Sequence, residues 1–232
     1  MIKAIFFDLY ETLITEWNNG TKKATNSIKL LGIPEDKFKE EWNNRVDRRM
    51  DGTFENYQSV LIDILQSQQK TCENGILERM VNERIKAKSI PFEQIDDSII
   101  KVLHSILDLE IKIGLISNCT PEEVVAWETS RLAEFFDDVV FSFQAKCSKP
   151  NPDIYLKACK NLKVKPKEAL FIGDGGSNEL QGATNVGMKA FHAAWFLPEW
   201  LMKEKNFGFP QLINPIELIE LIKQYFEEEQ NE

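Results

Sequence analysis

The sequence predicts an α/β fold: a three-layer, Rossmann-like parallel sheet core into which an all-α unit is inserted. Three observations predict it. Short continuous apolar runs, the mark of strands buried on both faces, recur along the chain. From residue 96 onward they alternate with segments whose apolar residues fall three or four apart, which is helical spacing. Residues 18–88 carry the helical spacing and no convincing strand.

Taken in order, the first strand is "MIKAIFF" (1–7), and the later ones are "IKIGLIS" (111–117), "DVVFS" (138–142), "EALFIGD" (168–174) and "MKAFHAAW" (188–195). Helices are expected at "DDSIIKVLHSILDL" (96–109), "PEEVVAWETSRLAEFF" (121–136), "PDIYLKACKNLKV" (152–164) and "NELQGATNVG" (178–187), each opened by Pro, Asp or Asn. Between 18 and 88, four amphipathic helices are expected at "TKKATNSIKLLG", "PEDKFKEEWNNRVDRRMDG", "ENYQSVLIDILQSQQ" and "GILERMVNERIKAK", with Gly32, Gly52, Gly75 and Pro34 as their punctuation. The core is thus expected in residues 1–17 and 89–232 and the helical unit in 18–88. "TEWNNG" and "SIPFEQID" are the expected hinges, and the last residues, "FEEEQNE", are expected to fray.

The formal net charge of −9 excludes binding to a nucleic-acid backbone, which needs clustered Lys and Arg to release counterions. No apolar stretch approaches the roughly 18 residues that span a bilayer, and the N-terminus lacks the basic flank of a signal peptide, so a cytoplasmic protein is expected. Cys72, Cys119, Cys147 and Cys159 form no CxxC pair and stand apart from His104 and His192. They read as reduced thiols rather than a zinc site.

Four strands end in a hydroxyl or carboxylate: Asp8, Ser117, Ser142 and Asp174. In an open parallel sheet the carboxyl ends of the strands border the ligand crevice, so these side chains can converge. Asp8 and Asp174 brought together repel one another unless a cation lies between them, and Mg²⁺, a hard cation that binds one or two carboxylates plus phosphate, is the natural partner. Lys149 lies before Pro150 and Pro152, which stiffen the backbone that presents it. The glycines of "GDGGSNEL" permit a tight turn into the next helix. No dinucleotide GxGxxG, GxxxxGK[ST] loop or GxSxG elbow occurs.

Together these residues resemble the haloacid dehalogenase superfamily of aspartate-nucleophile hydrolases, of the type with a helical cap between its first two motifs. Four motifs carry the resemblance in order: "FFDLYETL" with Asp8, "LISNCT" with Ser117 and Asn118, "SKPNPDIY" with Lys149, and "IGDGGSNELQGATNVGM" with Asp174 and Glu179. The resemblance implies a covalent aspartyl intermediate on Asp8 that water hydrolyses. It implies Mg²⁺ held by the Asp8 carboxylate, the Tyr10 carbonyl and Asp174, with Glu179 in support. It further implies phosphoryl oxygens held by Ser117, Asn118 and Lys149 in a pocket that Leu9 and Tyr10 flank. The implied substrate is a small phosphorylated metabolite.

The family's usual "DxDGT" is here "DLYET": Tyr10 replaces the second Asp, the general acid and base, and Glu11 replaces the Gly. A phenol is a poor proton donor near neutral pH, so alkyl phosphates are expected to turn over slowly and esters with good leaving groups to suffer less. The metal-free 2-haloacid dehalogenases carry Tyr at this position, which makes dehalogenation the alternative. Against it stand the metal-competent Asp174 and Glu179 and the absence of an Arg close behind Asp8, the first being Arg45 in the insert. A third reading is a non-catalytic relative that binds a phosphorylated ligand or a protein. Thr12 is expected to hydrogen-bond its own loop, and Arg45, Arg48, Arg49 and Tyr57 to be ordinary helix residues with Arg45 able to reach the site. Trp127, Trp195 and Trp200 are expected to pack, and His104 and His192 to be structural.

Overall fold

The computed structural model describes residues 1–18, 20–24, 28–73, 75–197 and 208–230, so Trp200 and parts of the "TKKATNSIKLLG" and "TEWNNG" segments lie outside the described residues. Its strands are β1 (Ala4–Phe7), β2 (Trp17–Asn18), β3 (Thr21–Lys22), β4 (Lys112–Ser117), β5 (Asp138–Phe141), β6 (Ala169–Gly173), β7 (Lys189–Ala193) and β8 (Gln211–Leu212). Its helices are α1 (Glu35–Asn43), α2 (Val46–Met50), α3 (Tyr57–Ser67), α4 (Ile76–Glu93), α5 (Asp97–Asp108), α6 (Ser142–Ala145), α7 (Pro152–Leu162), α8 (Glu179–Asn185) and α9 (Glu217–Gln230).

Six strands form one parallel sheet in the order β5-β4-β1-β6-β7-β8. The continuous apolar strands do what their composition requires. Ile5 and Phe7 of β1 face one core with Ile113, Leu115, Leu170 and Ile172, while Ala4 and Phe6 face a second with Ile116, Ala169 and Phe171. The first core is closed by α5 and α9, the second by α7 and α8. Gly114 of β4 lets Phe6 lie flat on the sheet, since a Cβ there would meet the ring at 2.5 Å. The chain builds outward from β1 to β4 and β5, then returns to β6, β7 and β8 on the other side. That reversal opens the crevice at the carboxyl ends of β1, β4 and β6.

The insert has an apolar cluster of its own, with Leu31, Phe38, Tyr57, Leu61, Ile64 and Met80 buried in it. Among the contacts that tie it to the sheet unit, Arg84 of α4 pairs with Glu122 and Glu123, Lys88 pairs with Glu16 and Glu123, and Lys146 donates to the Gly52 carbonyl at 2.7 Å.

Several expectations need correction. Residues 121–136 form no α-helix but three 3-10 turns, Pro121–Glu123, Trp127–Thr129 and Ala133–Phe135. Ser130 ends the second by donating its hydroxyl to the Trp127 carbonyl and accepting from the Leu132 N–H, which offers the backbone an alternative to the helix. Residues 21–32 do not form one helix either. Its described part holds β3, paired antiparallel with β2, and a 3-10 turn, Lys29–Leu31, closed by Gly32 at φ +61°. The helix expected over 34–52 divides into α1 and α2 at residues 44–45, where the Arg45 N–H bonds the Trp42 carbonyl and its guanidinium the Glu41 carbonyl. The expected hinge at 89–96 is helical as far as Glu93, with Phe92 buried in the main core and only residues 94–96 outside regular structure. The edge strand β8 was not anticipated.

Candidate active site

Asp8 is the first residue past β1, and its N–H bonds the Ile172 carbonyl of β6. Lys149 arrives from the loop before α7 and places Nζ 2.5 Å from Asp8 Oδ1. The same ammonium also pairs with the Glu179 carboxylate at the start of α8. Asp174 follows β6 directly, and its Oδ1 accepts the Gly176 N–H at 2.9 Å. Ligand oxygens of Asp8, Asp174 and Glu179 all lie within 4.8 Å of one another. Of the four strand-end polar residues expected to converge, Asp8 and Asp174 have met at one point, whereas Ser142 accepts the Cys119 N–H at 3.0 Å.

The Glu179 carboxylate is folded back beneath the loop that follows β6, where Oε1 accepts the Gly175 N–H at 3.1 Å. Gly173 makes room for it, because a Cβ there would collide with that carboxylate. Tyr155 of α7 donates its hydroxyl to the Glu179 carbonyl at 2.8 Å and fixes the helix start.

Burial raises the Asp8 carboxyl above its usual value, with Lys149 opposing and Asp174 adding to the rise. Burial and the Asp8 charge raise Glu179 well above the ordinary range, against Lys149. Burial pulls the Lys149 ammonium down, but Asp8 and Glu179 outweigh it and hold the group above its usual value. Two of the three clustered carboxylates, Asp8 and Glu179, thus share one ammonium, and Asp174 adds a third to the cluster. All-oxygen donors with excess negative charge fit a hard divalent cation, whose binding would offset both the burial and the carboxylate repulsion that raise Asp8 and Glu179.

The neighbouring residues take more particular positions. The Asn118 amide grips the backbone of Lys149, Oδ1 accepting its N–H at 2.8 Å and Nδ2 donating to its carbonyl at 2.9 Å. Ser117 is the buried last residue of β4, and burial pushes the thiol of Cys119 up, with Ser117 opposing. Leu9 is buried in the main core. Tyr10 turns its ring toward Phe92 and donates its hydroxyl to the Glu123 carbonyl at 2.6 Å. Burial, with Glu123 and Glu16 nearby, pushes this phenol well above its usual value. Glu11 adopts φ +59° where the family pattern has Gly, and its carboxylate accepts from Thr15 Oγ1 at 2.5 Å and the Glu16 N–H at 2.9 Å. These bonds hold the tight turn that a side chain disfavours.

Thr12 departs from expectation: its hydroxyl is buried and has no partner among the described residues, although its carbonyl accepts the Trp195 indole N–H at 2.8 Å. Arg45 does not reach the site, because Glu41 and Asp63 hold it within the insert. Arg48 likewise faces Asp63 and the Phe54 ring. Tyr57 is buried in the insert, and Trp127 packs with Phe136 and Phe141. His104 is exposed with its ring edge-on to Phe135, and His192 is buried in β7 beside Gln211. The four cysteines are free thiols.

Sequence reasoning missed Tyr155, although it lies three residues past Pro152 on the helix that follows Lys149 and carries a hydroxyl among buried apolar neighbours. It also missed the pairing of Arg84 and Lys88 with Glu122, Glu123 and Glu16 beside Tyr10.

A family model described as haloacid dehalogenase-like hydrolase matches residues 2–187. The glyceraldehyde 3-phosphate phosphatase of Pyrococcus abyssi is 28% identical over 206 residues, which is 84% of this chain and 82% of that protein. Among solved structures, a HAD phosphatase from Thermococcus onnurineus superposes with a TM-score of 0.63 at 19% identity, over 95% of this chain and 98% of its own. A 2-haloacid dehalogenase from Pseudomonas syringae pv. Tomato DC3000 does so with a TM-score of 0.66 at 18% identity, over 97% and 100%. The two superpose almost equally well, so the fold alone does not choose between their reactions.

Proposed function

The chain belongs to the haloacid dehalogenase-like hydrolase family, and from that premise we propose that it is a Mg²⁺-dependent phosphohydrolase acting on a small phosphorylated metabolite through Asp8. The observation that carries this reading is the convergence of Asp8, Asp174 and Glu179 on one point, with Lys149 paired to Asp8 and Glu179 as the cation among them. The phosphatase relative supports it.

In this reading one Asp8 oxygen attacks phosphorus, the ester P–O bond breaks, and the phosphoryl group passes to Asp8. Water then attacks that phosphorus and releases inorganic phosphate and the free carboxylate. Lys149, held by the Asn118 clamp, steadies the Asp8 carboxylate before attack and the transferring oxygens afterwards. In the same reading Ser117, which closes β4, completes the phosphoryl pocket, with Leu9 and Tyr10 flanking the nucleophile. Mg²⁺ bound by Asp8, Asp174, Glu179 and the Tyr10 carbonyl would supply charge neutralisation of the phosphoryl group. The helical insert over 18–88 acts as the cap that excludes water from the intermediate.

The Tyr10 hydroxyl is given to the Glu123 carbonyl and its proton is held tightly, so it does not protonate the leaving alkoxide. Substrates with acidic leaving groups are favoured accordingly. Dehalogenation keeps the support of Tyr10 itself, but with Arg45 tied to Glu41 and Asp63 that residue is no halide cradle.

The deciding experiment measures release of p-nitrophenol from its phosphate ester with and without chelator, beside halide release from 2-chloropropionate. Chelator-sensitive ester hydrolysis is expected. Halide release that survives chelation would replace the reading with dehalogenation, and inactivity on both with retained phosphate binding would leave a binding protein.

A further inference from the structure

Glu11 stands where the family pattern has Gly, and its backbone keeps the left-handed conformation that favours glycine, φ +59°. A side chain held in a conformation that disfavours it persists only where its surroundings over-determine it. Here the carboxylate binds its own loop: Oε2 accepts the Thr15 hydroxyl at 2.5 Å and Oε1 accepts the Glu16 N–H at 2.9 Å. The Glu11 N–H adds a bond to the Ile14 carbonyl at 2.6 Å. The turn that leaves Asp8 is thereby tied to the backbone of Glu16. Glycine at residue 11 would suit the turn and lack the tie.

Glu16 carries the link onward, since its carboxylate pairs with Lys88 of α4 at 2.9 Å. The Lys88 side chain is 14% exposed and also meets Glu123 at 3.1 Å, while its Nζ lies 4.6 Å from the centre of the Tyr10 ring. Burial pulls this ammonium down, but Glu123 and Glu16 outweigh it and hold the group above its usual value, so it stays charged. Tyr10 closes the ring of contacts by donating its hydroxyl to the Glu123 carbonyl at 2.6 Å. The nucleophile turn and the 3-10 turn Pro121–Glu123 thus grip one ammonium offered by the insert. A largely buried charge is tolerated only while its partners stay in place. Of those partners, Glu16 is the one whose backbone Glu11 fixes.

We propose that Glu11 is a positioning residue for Asp8: by fixing Glu16 it completes the seat of Lys88, and the seated ammonium steadies Tyr10 and the turn that presents the nucleophile. The kinetic consequence rests on the phosphohydrolase reading. Glu11 acts through Glu16 and Lys88 rather than on the reacting atoms.

The test compares wild type, E11G, E11Q, K88M and the double variant E11G/K88M on p-nitrophenyl phosphate. E11G fits the backbone but removes the tie, whereas E11Q keeps an acceptor oxygen. E11G should lower kcat by about 10-fold or more with KM little changed, as a displaced nucleophile requires, and E11Q should recover part of the loss. K88M should lower kcat in the same way. The double variant should fall no further than the slower single variant, because both substitutions break one link. Losses that multiply in the double variant overturn the proposal, as does an E11G enzyme with wild-type kcat.

Failure of the hydrolase reading shows separately, as no ester turnover by wild type. Hydrogen exchange of the amides of residues 9–16 then decides the proposal without turnover. Exchange there should be faster by about 10-fold, the equivalent of one lost hydrogen bond, in E11G and equally in K88M, and no faster still in the double variant. Unchanged protection of residues 9–16 in K88M overturns the proposal.

Discussion

The Asn118 side chain spans the backbone of Lys149, accepting its N–H and donating to its carbonyl across 31 residues of sequence. Strand β4 thereby sets where the ammonium next to Asp8 can sit. Truncating Asn118 to Ala leaves both backbone groups of Lys149 without these partners, at a cost of about 1–3 kcal/mol in stability. It also frees the ammonium to drift, and a misplacement of about 1 Å can cost on the order of 10²-fold in rate. Asn118→Ala is therefore expected to lower kcat far more than it raises KM, with a lower urea midpoint. A variant that loses stability but keeps kcat would show that Lys149 is held elsewhere.

That clamp marks how far the sequence could be read. The meeting of Asp8 and Asp174 was legible because each is a polar residue closing a continuous apolar run, and parallel strands bring such ends together. Lys149 and Glu179 were found through motif order, yet nothing in a string shows that Asn118 would spend its amide on the Lys149 backbone. Residues 121–136 misled because Val124, Trp127, Leu132 and Phe135 keep a helix-like spacing while each is buried from a separate 3-10 turn or the chain between them. Strand β8 has two residues, too few to show any periodicity. Arg49 looked like an ordinary helix cation because its burial against Trp42 is a tertiary fact.

Tyr10 offers a cleaner separation of packing from chemistry. Since its hydroxyl already serves the Glu123 carbonyl, Tyr10→Phe should leave the ratio of aryl to alkyl phosphate turnover unchanged and lower stability by about 1 kcal/mol. Tyr10→Asp restores a carboxyl group two residues from the nucleophile. Alkyl phosphate turnover should rise relative to aryl, up to the 10²- to 10⁴-fold or so that general acid catalysis typically supplies. A Tyr10→Phe enzyme that loses alkyl activity selectively would make the phenol a proton donor after all.

Gly173 and Glu179 form a steric pair. A methyl group at residue 173 would run into the Glu179 carboxylate and crowd the Phe171 ring at 2.9 Å. Gly173→Ala must therefore push Glu179 away from Lys149 or strain the end of β6, with a loss of about 1–3 kcal/mol expected for overpacking. The apparent affinity for Mg²⁺, read from activation curves, should weaken in the same variant. Unchanged activation together with unchanged stability would mean that Glu179 has room to move without consequence.

The acid limb of stability should report on Glu123. Burial alone would raise its carboxyl, but Lys88 and Arg84 beside it more than compensate and hold it down at about 2, against 4.5 for a free glutamate. A carboxylate whose value is depressed on folding stabilises the protein at every pH above 4.5, and that stability is lost as pH falls from there through about 2. The shift corresponds to about 3 kcal/mol. Urea unfolding of wild type and Glu123→Gln near neutral pH should differ by about this amount, the variant being weaker because Arg84 and Lys88 lose a shared partner. The gap should shrink steadily below pH 4.5 as Glu123 of the unfolded wild-type chain takes up a proton that the folded one refuses until about pH 2. A gap that stays constant across the acid range would mean that the glutamate contributes through packing and hydrogen bonds rather than through its charge.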